Sequence, residues 1–249
     1  MHKNVRLSLV IPVYNSAGSL PGTLAQLSDW LPQQPTCTEL VIVNDGSNPH
    51  TGTLLRDFAG STAGVTLLVN ERNRGKGLAV ARGMQAATGC FRIFTDADLA
   101  YSLDDVADTA RLLEAGSDVV IACRVLPESR YDISPEFFQY LYTRHLMSRT
   151  FNWAVRLGLL PGILDTQAGL KGFTARAAET VFPRLTVQGF GFDVELLYIA
   201  RQHGLTIAQK AVHFRYDCEP STMRFTRDAV TMLGDLVRIR WNGLRGRYR

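Results

Sequence analysis

Soft metal ligands are scarce in this chain. The four cysteines, Cys37, Cys90, Cys123 and Cys218, are scattered with no C-x-x-C pair, and the five histidines show neither H-x-x-x-H nor H-E-x-x-H spacing. This argues against a structural or catalytic zinc site and leaves oxygen ligands, hence a hard divalent cation, for any metal. Cys37, Cys90 and Cys123 lie in or beside apolar runs and are expected to be reduced thiols of the core. Long apolar stretches are missing too: none reaches the ~18 consecutive residues of a membrane-crossing helix. The N-terminal MHKNVRLSLVIPVYN carries no signal-cleavage pattern, so a cytoplasmic protein is expected. Internal repeats and low-complexity linkers are absent as well.

What is present suits an enzyme-sized core. The 249 residues are 46% hydrophobic, enough for one large or two small domains. The formal charge of +4 is uneven, because RIRWNGLRGRYR at the C-terminus holds five arginines and no acid. Nucleic acid is not among the expected partners, and the sequence leaves the oligomeric state open.

Short apolar runs, RLSLVIP (6–12), ELVIVND (39–45), VTLLVN (65–70), FRIFTD (91–96) and DVVIAC (118–123), alternate with helix-length segments at 19–30, 50–59, 76–88 and 102–115. Continuous apolar strands bracketed by helices predict an α/β fold, a Rossmann-like, mostly parallel sheet covered on both faces. Asp104 and Asp105 suit the start of the fourth helix and Gly116 its end. From 126 to 164 the pattern changes to an aromatic, basic, helix-like insert, with Pro135 at a first turn and Pro161-Gly162 as the stop. A strand at 168–175, a helix in 188–204 and a last strand at 205–214 follow.

Polar clusters fall at the strand ends, where an open α/β sheet binds its ligands. They are VYNS after the first strand, NDGS after the second, NRGKG after the third and TDADL after the fourth. RGKGLAV lacks the upstream glycine and the Ser/Thr of a P-loop, and VYNSAG is not G-x-G-x-x-G, so neither ATP hydrolysis nor NAD binding is supported. Asp96 and Asp98, one residue apart, could approach one ion together or could simply precede a helix. Asp45 could accept from a base or ribose or could make an Asx turn, and Lys76 could meet a diphosphate or only water.

Taken in order, VIPVYN, VIVNDGS, NRGKGLAVARGMQAATG, FTDADL, DTQAGLKGFT and FGFDVELL resemble the family 2 glycosyltransferases of GT-A fold, over residues 5–215. The last two motifs are most similar to the polyprenyl-phosphate (dolichyl-phosphate) β-glucosyltransferases. The resemblance implies that Pro12, Tyr14, Asn15 and Asp45 hold the nucleoside of a UDP- or GDP-sugar, UDP being favoured. Lys76 and Asp96 would face its ribose and diphosphate, Asp98 with Asp96 would bind Mg²⁺ or Mn²⁺, and Gln167 would line the sugar and metal side. Arg124 and Lys171, with Arg144 and Arg149 of the insert, would face an acceptor phosphate. The implied reaction is inverting transfer of a sugar, most simply glucose from UDP-glucose, to a polyprenyl phosphate. A soluble hydroxyl or peptide acceptor, with Asp193 or Glu195 as base, and a non-catalytic nucleotide-sugar-binding protein are the alternatives. Ser16, Ala100 and Ala168 stand where the family commonly has Glu, Gln and Cys.

The expected organisation is a glycosyltransferase domain over 1–215, with a nucleotide-sugar half (1–125) and an acceptor half (126–215), then an amphipathic basic tail (216–249). In that tail Val230, Leu233, Leu236 or Val237, and Trp241 form one helical stripe. Arginines follow it, a pattern that fits peripheral attachment to an anionic membrane surface.

Overall fold

The computed structural model describes residues 5–16, 18–34, 37–133, 155–156, 158–189, 191–216 and 225–249. Five strands, β1 (Leu7–Val13), β2 (Thr38–Asn44), β3 (Val65–Val69), β4 (Phe91–Phe94) and β5 (Val119–Cys123), alternate with α1 (Leu20–Trp30), α2 (Pro49–Ser61), α3 (Lys76–Ala86) and α4 (Leu103–Glu114). The expected α/β repeat is therefore observed. β6 (Arg130–Ile133), β7 (Lys171–Thr174), α5 (Ala175–Val181), α6 (Phe192–Gln202), β8 (Ile207–Ala211), β9 (His213–Tyr216) and α7 (Phe225–Leu244) complete the described strands and α-helices.

The main sheet has seven strands in the order β3-β2-β1-β4-β7-β5-β8, and only β7 runs against its neighbours. Successive strand residues point to opposite faces, which splits the core in two. Val10, Val43, Phe94, Ile121 and Phe173 pack with α3, α5 and α6. Leu9, Ile11, Ile42, Ile93 and Val120 pack with α1, α2 and α4. Each fully buried leucine or isoleucine of this set contributes about 1.5–3 kcal/mol relative to exposure. Local signals agree with the frame. Asn48 caps α2 by accepting from the Thr51 N–H ahead of Pro49, and Ser102 and Asp105 form a reciprocal capping box on α4. Gly116, at φ 110°, supplies the left-handed turn after α4.

Three expectations are corrected. The segment from 126 is not helical throughout: Arg130–Ile133 form β6, paired in parallel with β9 in a separate two-stranded sheet. The heart of the anticipated insert, 134–154, lies outside the described residues. The last strand is two strands, because at Val212 the chain leaves β8, its N–H bonding to Ser129 Oγ and its carbonyl accepting from the Arg130 N–H. Cys123 is buried, but Cys37 and Cys90 are exposed, since each precedes its strand instead of lying inside it.

α7 folds back on the protein. Ile239, and Tyr248 beyond the helix, join the core that holds α6, and buried Glu195 accepts from the Tyr248 hydroxyl at 2.7 Å.

Candidate active site

Parallel β1, β2, β3 and β4 bring their carboxyl ends to one edge of the sheet, and β7, being antiparallel, delivers its first residue there. Lys171 lies opposite Phe94, the last residue of β4. Along that edge the turns are tied together. Asn15, in the left-handed region at φ 52°, accepts from the Asn48 N–H at 2.8 Å, and its own N–H donates to Ser47 Oγ. Pro12 is half-buried, and Tyr14 is 40% exposed at the rim.

Asp45 is buried, and both of its oxygens are engaged. They accept from Asn70 Nδ2 (2.6 Å), the Arg74 N–H and the Gly75 N–H (both 3.0 Å), so this carboxylate fixes the loop before α3. The glycines of NRGKG are then explained by contact. A Cβ on Gly75 would lie 2.6 Å from the Gln188 carbonyl oxygen, and one on Gly77 would lie 2.7 Å from Phe192 Cβ. Close approach of the two backbones sets Lys76 at the first position of α3, where helix N–H groups favour an anion.

Lys76 Nζ meets Asp96 Oδ1 at 2.5 Å. Burial opposes the ammonium charge, but Asp96, together with Asp193 and Asp98, outweighs it and holds the Lys76 pKa above its ordinary value. Asp98 is exposed beside this pair and accepts from the Ala100 N–H at 3.1 Å. Desolvation and the neighbouring Asp96 charge push its pKa up. Leu99 follows at φ 47°, a non-glycine residue in the left-handed region and buried, so the turn that presents Asp98 is held by its packing.

Facing Asp96 is the loop Asp165–Gly169. Asp165 takes a bidentate bond from Arg124 (Nε 2.7 Å, Nη2 2.9 Å) and also accepts from the Arg124 and Gln167 N–H groups. Burial disfavours the Asp165 carboxylate, yet Arg124 holds its pKa below the usual range. Gly169 donates its N–H to the hydroxyl of buried Tyr101, and any Cβ there would sit 2.1 Å from Asp96 Oδ2. Gln167 is half-buried, its Nε2 4.0 Å from Met232 Sδ of α7.

Lys171 and Asp193 form an ion pair of 2.5 Å beneath this loop, and Lys171 Nζ also donates to the Ala168 carbonyl. Lys171 is fully buried and Asp193 nearly so. Burial lowers the lysine pKa and raises that of the aspartate, against the attraction each exerts on the other.

The sequence-predicted residues Asp96, Asp98, Lys76, Gln167, Lys171 and Asp193 are thus brought to one edge, and Arg124 joins through Asp165. Two expectations change in character. Lys171 and Arg124 are not open cations: each has its charge matched inside the protein by a carboxylate. Glu195 is not placed for proton transfer, since it accepts from the Thr186 hydroxyl, the Thr186 and Val187 N–H groups and Tyr248. Arg144 and Arg149 lie outside the described residues. Sequence reasoning missed Asp165 and Tyr101. The signal for the first was its position at the head of DTQAG, beyond the β5 end that carries Arg124.

A Mg²⁺ or Mn²⁺ fits this donor set. Among the described residues no group of three or more His, Cys, Asp or Glu side chains converges. Such ions nevertheless keep several waters and phosphate oxygens and need only one or two carboxylates from the protein. Asp98, exposed and one residue from Asp96, would be the residue to hold it, with Asp96 beside it on Lys76.

Comparison with known proteins agrees. The chain is 31% identical, over 98% of its length and 76% of the relative's, to a dolichyl-phosphate beta-glucosyltransferase of Dictyostelium discoideum. It is 33% identical, over 98% of itself and 78% of the relative, to the Homo sapiens protein of the same name. Among solved structures, glucosyl-3-phosphoglycerate synthase from Mycobacterium tuberculosis in complex with UDP superposes with a TM-score of 0.67, at 19% identity, over 94% of this chain and 80% of that one. That likeness establishes the GT-A architecture. The family model for Glycosyl transferase family 2 matches residues 8–172, spanning the strand ends from Pro12 to Lys171, and the chain belongs to that family.

Proposed function

We propose that the protein transfers glucose from UDP-glucose to a polyprenyl phosphate, inverting the anomeric centre in one in-line displacement, at the cytoplasmic face of a membrane. The observation that carries this reading is the near full-length similarity to dolichyl-phosphate beta-glucosyltransferases. The UDP-glucose and Mn²⁺ bound by the mycobacterial glucosyl-3-phosphoglycerate synthase support the choice of donor and metal.

The site geometry fits the chemistry. Tyr14, Asn15 and the turn fixed by Asp45 receive the nucleoside, while Lys76 and the α3 N-terminus face the diphosphate. A divalent ion on Asp98 would neutralise charge on the departing UDP. A phosphomonoester has a second pKa near ~6, so the nucleophile is already anionic at neutral pH and no base is required. Asp193 then serves to hold Lys171, Arg124 is held by Asp165, and Arg144 and Arg149 supply the acceptor-side positive charge. No helix among the described residues is long and apolar enough to cross a membrane.

The test is UDP release from UDP-glucose with Mn²⁺ or Mg²⁺, with and without a short-chain polyprenyl phosphate. Stimulation by the lipid phosphate is expected. Release with soluble hydroxyl acceptors alone would reassign the acceptor, and no release with any nucleotide sugar from folded protein would remove the reading.

Gly169→Ala offers a separate check on the site. The added methyl must displace the Asp96 carboxylate, which pushes the Lys76–Asp96 pair out of place and should lower stability along with transfer. A misplacement of this size costs about 10²-fold in transfer. Steady-state kinetics beside a thermal melt would show it, and unchanged kinetics would mean that Asp96 does not need this geometry.

A further inference from the structure

We infer that the outer stripe of α7 is a docking surface for an anionic lipid bilayer. The proposal deepens the membrane placement proposed above and rests on it. α7 has two distinct faces. Met232, Ile239 and Asn242 are buried against the protein, and Asp235 turns inward onto Gly191. Leu233, Val237, Trp241 and Leu244, at spacing i, i+4, i+8 and i+11, are 52%, 71%, 54% and 69% exposed. At 3.6 residues per turn this stripe lies roughly 180° around the helix from the buried one. Leu236, a candidate for the stripe on sequence alone, packs against the core instead.

The occupant is argued from charge. From Thr231 to the C-terminus the only acid is Asp235, on the protein side, whereas Arg238, Arg240 and Arg245 are all exposed, with Arg240 on one flank of the stripe and the other two on the opposite flank. Arg245 lies over the Trp241 ring, 4.5 Å from its centroid. An apolar ridge with tryptophan near its end and guanidinium groups on both sides matches an interface between acyl chains and anionic headgroups. A second copy of this chain would bring the same arginines against each other, which disfavours self-association through this face. The inner face of α7 reaches Gln167 through Met232 and the turn before Asp193 through Asp235, so a bilayer beneath the stripe lies next to the element that borders the site.

The test is flotation of the full chain with vesicles of phosphatidylglycerol and phosphatidylcholine at low salt, without substrates. Wild-type protein should float, be released by high salt and bind pure phosphatidylcholine poorly. Val237→Ser/Trp241→Ser should lose binding at least tenfold while its melting curve stays unchanged. Arg240→Gln should weaken binding about fivefold, the share of one interfacial arginine. A double variant that floats like wild type overturns the assignment of this face and leaves the glycosyl transfer untouched. Wild-type protein that ignores anionic vesicles, or an oligomer in light scattering that the double variant dissociates, overturns it as well. UDP release with a soluble polyprenyl phosphate, measured alongside, reports on the catalytic reading independently.

Discussion

Asp98→Asn is expected to reduce metal-dependent UDP release by about 10²- to 10³-fold while leaving the fold as stable as before, or slightly more so. The reason is in the geometry. Asp98 is exposed, lies next to a second carboxylate and has its pKa pushed up by desolvation and by Asp96, so in the absence of cation its charge is unfavourable to the folded state. Removing that charge relieves repulsion but deletes the carboxylate proposed to hold the metal. Asp96→Asn should behave differently. It strips Lys76 of its 2.5 Å partner within a pocket where burial already works against the ammonium, so activity and stability should fall together. Thermal melts with and without Mn²⁺ separate the cases: the ion should stabilise wild-type protein and leave Asp98→Asn unmoved. A Mn²⁺-dependent shift that persists in Asp98→Asn would move the metal elsewhere.

The different fates of these two neighbours mark what the sequence could and could not convey. Strand periodicity and the residues at strand ends located β1 to β5; in β1, β2 and β5 burial on both faces leaves an uninterrupted apolar run that local reading detects. It could not reveal β6, since RYDI carries no such run and becomes a strand only by pairing with β9. The same limit applied within the site. Motif spacing brought Asp96, Asp98 and Lys76 together, yet whether a cation is open or already neutralised depends on contacts across 41 residues for Arg124 and Asp165 and 22 for Lys171 and Asp193. The antiparallel insertion of β7 creates both of the latter contacts by carrying the segment after residue 164 back to the carboxyl edge of the sheet. α7 shows the converse. Its amphipathic pattern was visible, but only packing decides that Leu236 turns inward and Val237 outward.

Lys171→Met is expected to destabilise the protein by about 3–5 kcal/mol, because it leaves Asp193 buried with no cation in contact. Replacing both members, Lys171→Met with Asp193→Leu, should recover most of that loss, since two apolar side chains of similar volume avoid the desolvation that the charged pair endures. Urea titrations of wild-type, single and double variants measure this directly, and a wild-type midpoint for Lys171→Met would show that the pair carries no structural burden. Asp193→Asn then distinguishes the two chemical roles. Asparagine keeps an oxygen for Lys171 Nζ but cannot take a proton. If the acceptor is a phosphomonoester, already anionic at neutral pH, transfer should fall modestly and in step with the altered position of Lys171. If the acceptor is a hydroxyl, transfer should vanish, a loss far larger than the shared drop in stability explains, because the carboxylate beneath Ala168 that could accept its proton is gone. The expected result is the modest loss. Asp193 is buried and meets Lys171 Nζ at 2.5 Å, so its carboxylate is engaged by the lysine instead of being presented to a substrate.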